Sequence, residues 1–495
     1  MISKKFIKSS FTYSVIGSLP MVSGFVLLPF YTNLLSTDDF GMLMIYILFS
    51  QLIQIIVNFG MDNFVPINFI NTKDDKVKQT ESVATSTMLL MGVGAAFILI
   101  FWFTGNPFFQ VLNDVLYKGK NIVFSPWVFM SVVTAFFNSY FKTYTNLLVY
   151  QQRPTKFFWM NIFNFILTIG ISLAGLHLYP QTLIGPMYGR LLSGVGIFVV
   201  SFLFFATEFG FSFRTKYVKG IVEFCYPFLF FLILTWVLNN IDRYIILYYF
   251  DQTSVGIYDF AVKCSLPVEF IQNGLMGAIM PIVFNLWKDK SINGGTLEVN
   301  RYFNGFTAVF LIILPVYVAI IPILVPVVVN NAVYYDSFNY FPIIVAGFIT
   351  RGFYVMALAP LLFLKKTKVL PIAFTFAALI QIGLSIFFIK YFGLFGATYA
   401  TVISKIAQVF FLYLFSRRYF KFQFNTNKIV VLPLIYLVLV FVTESFVSRQ
   451  YWYLVQIVII LVMCFATFFI YRNELVLLLG KYLHFSKKSS IDNAE

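Results

Sequence analysis

Charge is what this 495-residue sequence has least of: 11% of its residues are Asp, Glu, Lys or Arg, less than half the roughly 25% of an ordinary soluble domain. So little polar surface excludes a soluble enzyme. It also argues against a nucleic-acid interface, because the basic residues never form the long cluster that phosphate contacts need. Histidine occurs twice and cysteine three times. Cys225, Cys264 and Cys464 all lie in apolar stretches, without a CxxC or a Cys/His cluster, so neither a disulfide framework nor a metal site is expected. No cofactor or catalytic constellation is expected either. A small-x-small cleavage site is missing after the basic start and apolar body of residues 1–30, and the apolar run is too long for a signal peptide. We read it as a retained first membrane helix.

What the sequence has in abundance is apolar length: 60% of residues are hydrophobic and 20% aromatic. A helix needs about 20 apolar residues to cross a ~30 Å hydrocarbon layer. Fourteen stretches qualify, at approximately 11–34, 41–69, 82–104, 122–149, 157–178, 182–206, 221–250, 253–286, 302–328, 338–363, 370–390, 394–416, 429–447 and 452–471. Barrel strands would alternate polar and apolar over ~10 residues; these runs are continuous and about twice as long. The expected fold is an all-α polytopic membrane protein.

The formal charge is +15, and its distribution gives the topology, because Lys and Arg collect in cytoplasmic loops. Assigning connections alternately puts 25 cations on the side of the N-terminus, among them Lys73, Lys76, Arg153, Lys156, Arg214, Lys365, Lys366, Arg417 and Lys428. The other side has four, Lys118, Lys120, Lys390 and Arg449. Both termini are therefore expected in the cytoplasm. The remaining six, Lys142, Arg190, Arg243, Lys263, Arg351 and Lys405, fall within spans. No outward loop is long enough for a separate domain, so the function must reside within the membrane.

The sequence also carries a weak internal repeat. A shift of 215 residues pairs Gly41 with Gly256, Ser50 with Ser265, Asn58 with Asn273, Met61 with Met276 and Pro66 with Pro281, within eight matches over 29 positions. A shift of 211 pairs Leu183, Gly185, Tyr188 and Ser193 with Leu394, Gly396, Tyr399 and Ser404. Both offsets carry span n onto span n+6, as expected of duplicated bundles sharing one orientation. The expected organisation is an N-terminal lobe over residues 1–220, a C-terminal lobe over 221–420, and two appended helices with a tail over 421–495.

Polar side chains inside spans are costly and face other helices or water. Spacings of three and four place Gln51, Gln54, Asn58 and Asp62 on one seam of the second span, and Ser131, Thr134, Asn138, Lys142 and Thr145 on one seam of the fourth. The fifth span repeats this with Asn161, Asn164, Thr168 and Ser172, and the twelfth with Thr398, Thr401, Lys405 and Gln408. Seams of Ser and Thr alone are interhelical glue; those with Lys142, Lys405 or Asp62 point to a hydrated cavity. The seventh span brings Asn239, Asn240, Asp242 and Arg243 together. Adjacent residues do not share a helix face, so Asp242 and Arg243 are expected to find partners on other helices. Asp259 and Lys263, four apart, fit a local ion pair equally well. Arg351, mid-span with no acid at i±3 or i±4, is a stronger cavity candidate than Arg190, which lies about two turns from its helix end and can snorkel.

Residues 27–46, LLPFYTNLLSTDDFGMLMIY, and 239–263, NNIDRYIILYYFDQTSVGIYDFAVK, resemble the polysaccharide biosynthesis and export family, lipid-linked oligosaccharide flippases of O-antigen type within the multidrug/oligosaccharidyl-lipid/polysaccharide exporter superfamily. The similar positions are Pro29, Leu34, Gly41, Asp242, Arg243, Val255, Gly256 and Tyr258, with the KKTK loop Lys365–Lys368 after the tenth span. The resemblance implies two six-helix lobes plus two helices, rocking about a central cavity. It implies a non-enzymatic flippase in the bacterial cytoplasmic (inner) membrane, carrying a polyprenyl-pyrophosphate-linked oligosaccharide for surface polysaccharide or lipopolysaccharide assembly. Polymerase and glycosyltransferases of the same pathway are then expected partners. Under this implication Arg243, Arg351, Lys142 and Arg190, with Lys263 and Lys405, are the candidate substrate cations, since Arg grips phosphate bidentately and Lys acts as a point charge. Gln54, Asn58, Asn138, Asn161, Asn164 and Asn239 are candidates for glycan contacts, and Asp62, Asp242 and Glu269 for a coupling H⁺ or Na⁺. Three rivals stand beside it: an ion-coupled drug or metabolite exporter of the same superfamily, a lipid II or sporulation-type flippase sharing the fold, and a membrane-embedded glycan polymerase or ligase.

Overall fold

The computed structural model describes residues 16–117 and 122–474, Ser18 excepted, and among these residues it holds helices and their connections and no strand. The outward Lys118 and Lys120, and the terminal cations Lys4, Lys5, Lys8, Lys481, Lys487 and Lys488, lie outside the described residues. In chain order the helices are α1 (Leu19–Leu34), α2 (Thr37–Asn58), α3 (Met61–Asn71), α4 (Lys76–Leu112), α5 (Phe129–Tyr150), α6 (Pro154–Leu178), α7 (Ile184–Phe209), α8 (Thr215–Tyr249), α9 (Gln252–Val328), α10 (Phe341–Gly347), α11 (Arg351–Phe363), α12 (Leu370–Ser416), α13 (Leu432–Phe446) and α14 (Arg449–Ile470).

Eleven helical stretches among the described residues are long and apolar enough to cross a membrane, against the fourteen expected. The protein is a multi-pass membrane protein. Of the three missing from the count, the first is described only over Leu19–Leu34, too few residues to be counted. α5 carries the Ser131–Thr145 polar seam, which lowers its hydropathy. α12 joins two expected spans in one helical run, Thr367–Ser416, interrupted at Gly393, whose φ of 59° lies in the left-handed region that only glycine enters freely. Conversely, the second span is two helices: Phe59 and Gly60, at φ 54° and 83°, end α2 and begin α3.

Local signals set the ends of several helices. Ser36 caps α2 by accepting the Asp39 amide at 3.0 Å, and Asp75 caps α4 by accepting that of Lys78 at 3.0 Å. Acids Asp38 and Asp39 in the first turn of α2 complement its dipole. Pro154 opens α6, where its missing amide costs nothing.

The chain forms two compact units. The first comprises Met1–Lys263, Val329–Tyr334 and Ile382–Ala397, the second Cys264–Val328, Tyr335–Gln381 and Thr398–Glu495. The core of the first is aromatic: Tyr140 meets Phe198, Phe202 and Phe205 with ring centroids 5.1, 6.2 and 5.7 Å apart, and Val57, Met61, Val132 and Ile221 are fully buried around them. In the second, Trp287 packs on Phe363 and Phe420 at 5.3 and 5.6 Å. Edge-on and tilted rings of this kind add to burial the attraction between ring edges and faces. Loops assigned to the inner side by charge carry acid-centred clusters: Glu208 with Arg153 and Lys156, and Glu81 with Arg214 and Lys216. Their cations are exposed to solvent, so these pairs contribute little to stability.

Candidate functional site

The polar seams of the first unit converge. A cavity of about 690 Å³ opens among α1, α2, α5, α6 and α7, lined by Gln51 and Gln54 from α2, Asn138, Lys142, Thr145 and Asn146 from α5, Asn161, Asn164 and Thr168 from α6, and Arg190 and Ser193 from α7. Ser23, Phe141, Val149 and Phe157 complete much of the wall. Six of the candidate residues, Gln54, Asn138, Lys142, Asn161, Asn164 and Arg190, therefore share one chamber. The convergence follows from helix geometry: each seam repeats at three or four residues, so each helix turns one polar stripe inward and its apolar faces outward.

The charges of the chamber are unequal partners. Lys142 Nζ lies 2.9 Å from Asp62 Oδ2; the lysine side chain is 48% exposed and the aspartate 4%. Asp62 is anchored through its backbone, its amide donating to Asn58 Oδ1 and its carbonyl accepting from Asn146 Nδ2, both at 3.1 Å. Asn58, buried between helices, donates to the Ser139 carbonyl and to Thr143 Oγ1. It braces α2 against α5 and is not among the lining residues. Arg190 faces the chamber without an ion pair among the described residues. No carboxylate is among the lining residues.

The seventh-span charges sit elsewhere. Arg243, buried in α8, is held by Asp242 Oδ1 at 2.6 Å and Asp259 Oδ1 at 3.2 Å, and its Nη1 also donates to the Asn239 carbonyl at 2.5 Å. Asp242 accepts the Tyr258 hydroxyl at 2.6 Å, and Lys263 stands 3.8 Å from Asp259. Asp242 and Arg243 thus do bond one another, contrary to the helix-face expectation. That expectation follows Cβ directions, whereas the long arginine folds back along its own helix. The expected partner on another helix is present as well, in Asp259 of α9. The Asn239 side chain is exposed and bonds its own helix at Thr235.

Within the second unit, Arg351 opens α11 and donates to Asn273 Oδ1 at 2.8 Å, with its guanidinium over the Tyr354 ring. Lys405 lies over the Phe348 ring at 4.4 Å. Glu269 is half-buried in α9.

The sequence of residues 6–287 matches a known family, that of the polysaccharide biosynthesis proteins. The chain belongs to that family. No curated protein matches it in sequence, but solved structures match its fold. A lipid II flippase, MurJ in an inward closed conformation, is similar with a TM-score of 0.70 at 16% identity, over 94% of this chain and 99% of that one. An inward-facing multidrug resistance transporter of the MATE family and MOP superfamily is similar with a TM-score of 0.64 at 14% identity, over 81% of this chain and 94% of that one. At these identities the likeness is one of fold.

Asn146 and Ser193 also line the chamber and were not among the candidates. Asn146 was legible, four residues beyond Lys142 on the same stripe; Ser193 follows Arg190 by one short turn and gives no signal without the cavity.

Proposed function

We propose that this member of the family is a flippase that moves a polyprenyl-pyrophosphate-linked oligosaccharide across the bacterial cytoplasmic membrane by alternating access, for assembly of a surface polysaccharide. The observation that carries the reading is the chemistry of the chamber: Arg190 and Lys142 with a wall of Asn and Gln amides, and no lining carboxylate. A diphosphate is recognised by cations, Arg bidentately. Neutral amides, which both donate and accept, match sugar hydroxyls. A pocket for cationic drugs would instead offer an acid to the ligand, and Asp62 is turned away behind Lys142. The family match and the flippase-like fold support the same reading.

In this reading both termini lie in the cytoplasm, as the distribution of cations requires, and the glycosyltransferases and polymerase of the pathway supply and consume the cargo. A driving H⁺ or Na⁺ would be carried by Asp62, Asp242 or Glu269. Neutralising Arg190 and Lys142 together, as Arg190→Gln with Lys142→Gln, should abolish surface glycan and accumulate its lipid-linked precursor inside, with protein level unchanged. Undiminished export by that double variant would overturn the proposal.

A further inference from the structure

The salt bridge between Lys142 and Asp62 joins a fixed partner to a mobile one. Asp62 is buried, begins α3 directly after the Phe59–Gly60 break, and is held by Asn58, Asn146 and the Asn63 side chain, which donates to its Oδ1 at 3.1 Å. Lys142 has a four-carbon stem, is half exposed, and lines the chamber. Its ammonium has three donors, and the salt bridge to Asp62 takes one. Among the described residues, side chains of α4 make neutral contacts to α3: Ser82 accepts from Asn68 Nδ2 and Gln79 donates to the Phe69 carbonyl. Lys142 is thus the cation paired with Asp62, and it belongs equally to the chamber.

We propose that Asp62 is a resident counter-anion. It holds the Lys142 ammonium until the diphosphate group of the cargo competes for it, and so it sets how tightly the cargo is held and how readily it leaves. The inference rests on the reading of the chamber as an anion site. An anion that takes the Lys142 ammonium must draw it off the Asp62 carboxylate 2.9 Å away, and the attraction given up there is subtracted from the attraction gained. Arg190, with no acid paired to it among the described residues, supplies the unconditional attraction; Lys142 supplies an attraction that Asp62 reduces. Asp62 acts through Lys142 and is a positioning residue. A site built this way captures an anionic cargo without trapping it, because the displaced carboxylate is on hand to reclaim the lysine.

The test is binding of two probes, inorganic pyrophosphate and farnesyl diphosphate, to the full-length protein in detergent, for wild type, Asp62→Asn, Lys142→Gln and the double variant. Asp62→Asn should bind about tenfold more tightly, the effect of freeing the Lys142 ammonium from its resident carboxylate. A merely structural role for Asp62 would produce a loss. Lys142→Gln should bind more weakly, and adding Asp62→Asn to it should give no gain, since the coupling runs through the lysine. A gain with both probes assigns recognition to the diphosphate itself, a gain with farnesyl diphosphate alone assigns it to the lipid-borne group, and either supports the proposal. An Asp62→Asn protein that binds no more tightly than wild type, or a gain that persists without Lys142, overturns it. Asp62→Ser carries the same expectation should the asparagine variant not fold. Glycan export in cells separates the two levels: if Arg190→Gln loses export while Asp62→Asn shows no gain in binding, only the counter-anion fails. If Arg190→Gln exports normally, the anion-site reading itself fails.

Discussion

Gly41 and Gly256, separated by the same 215 positions that pair Asp38 with Thr253, pack backbone against backbone at the starts of α2 and α9. A Cβ on Gly41 would lie 1.9 Å from the Gln252 carbonyl oxygen and 3.1 Å from the Gly256 amide nitrogen, and one on Gly256 would lie 2.9 Å from the Thr37 carbonyl oxygen. Beside them the Thr253 hydroxyl donates to Asp38 Oδ1. The two glycines that the 215-residue offset pairs in sequence also lie beside one another in space.

Gly41→Val should accordingly destabilise the protein by about 1–3 kcal/mol, the usual cost of forcing a side chain into filled space, and lower export with it. Gly24→Ala, on α1 with nothing within 4 Å of its added carbon, is the matched control and should leave melting temperature in detergent unchanged. Equal melting temperatures for the two variants would mean that the backbones part at no cost.

Much of the architecture was legible because the bilayer imposes it: apolar runs of the required length and polar stripes at helical spacing. Gly185 packs against Gly175, and Gly396 against the Phe388 carbonyl. What escaped was local. The seam from Gln51 to Asp62 reads as one stripe, but the break at Phe59 and Gly60 restarts the helix, leaving Gln51 and Gln54 in the chamber and Asp62 behind its wall. The in-line Asp242 and Arg243 pair escaped for a different reason. Spacing describes where side chains start, and a long arginine ends several ångströms away.

Arg243 should behave as a structural ion and not as a transport residue. Arg243→Gln takes the central cation from buried Asp242 and leaves Asp259 with only Lys263 at 3.8 Å, and breaking a buried pair from one side costs about 3–5 kcal/mol. The expected result is a fall in protein level and melting temperature. Arg243→Gln combined with Asp259→Asn should recover part of that loss, because the second change removes a stranded charge. Quantitative immunoblotting with thermal unfolding of the purified variants checks both, and a stable Arg243→Gln protein that has lost export would return Arg243 to the substrate path.

The chamber amides should act in smaller steps than its cations. Asn164, whose Oδ1 accepts the Thr168 hydroxyl at 3.2 Å, keeps its amide donors for a ligand. A neutral hydrogen bond is worth about 0.5–1.5 kcal/mol. Asn164→Ala and Gln54→Ala should each slow glycan export several-fold without abolishing it, measured as the rate at which labelled surface glycan appears.

Acid should loosen the end of α14. Glu474, just beyond that helix, is buried, and burial works to raise its carboxyl. Lys428 at 2.7 Å and Asn304 Nδ2 at 3.1 Å outweigh this and hold it below the usual carboxylate range. A carboxyl lowered by folding contributes stability that is fully present above its unfolded value, near pH 4.3, and is lost as pH falls through the lower folded value. Wild type should therefore exceed Glu474→Gln in melting temperature by a constant margin at neutral pH, and the margin should close below about pH 4. If the margin were instead to grow on acidification, Glu474 would have to be protonated in the folded protein, and Lys428 would not be the group that holds it.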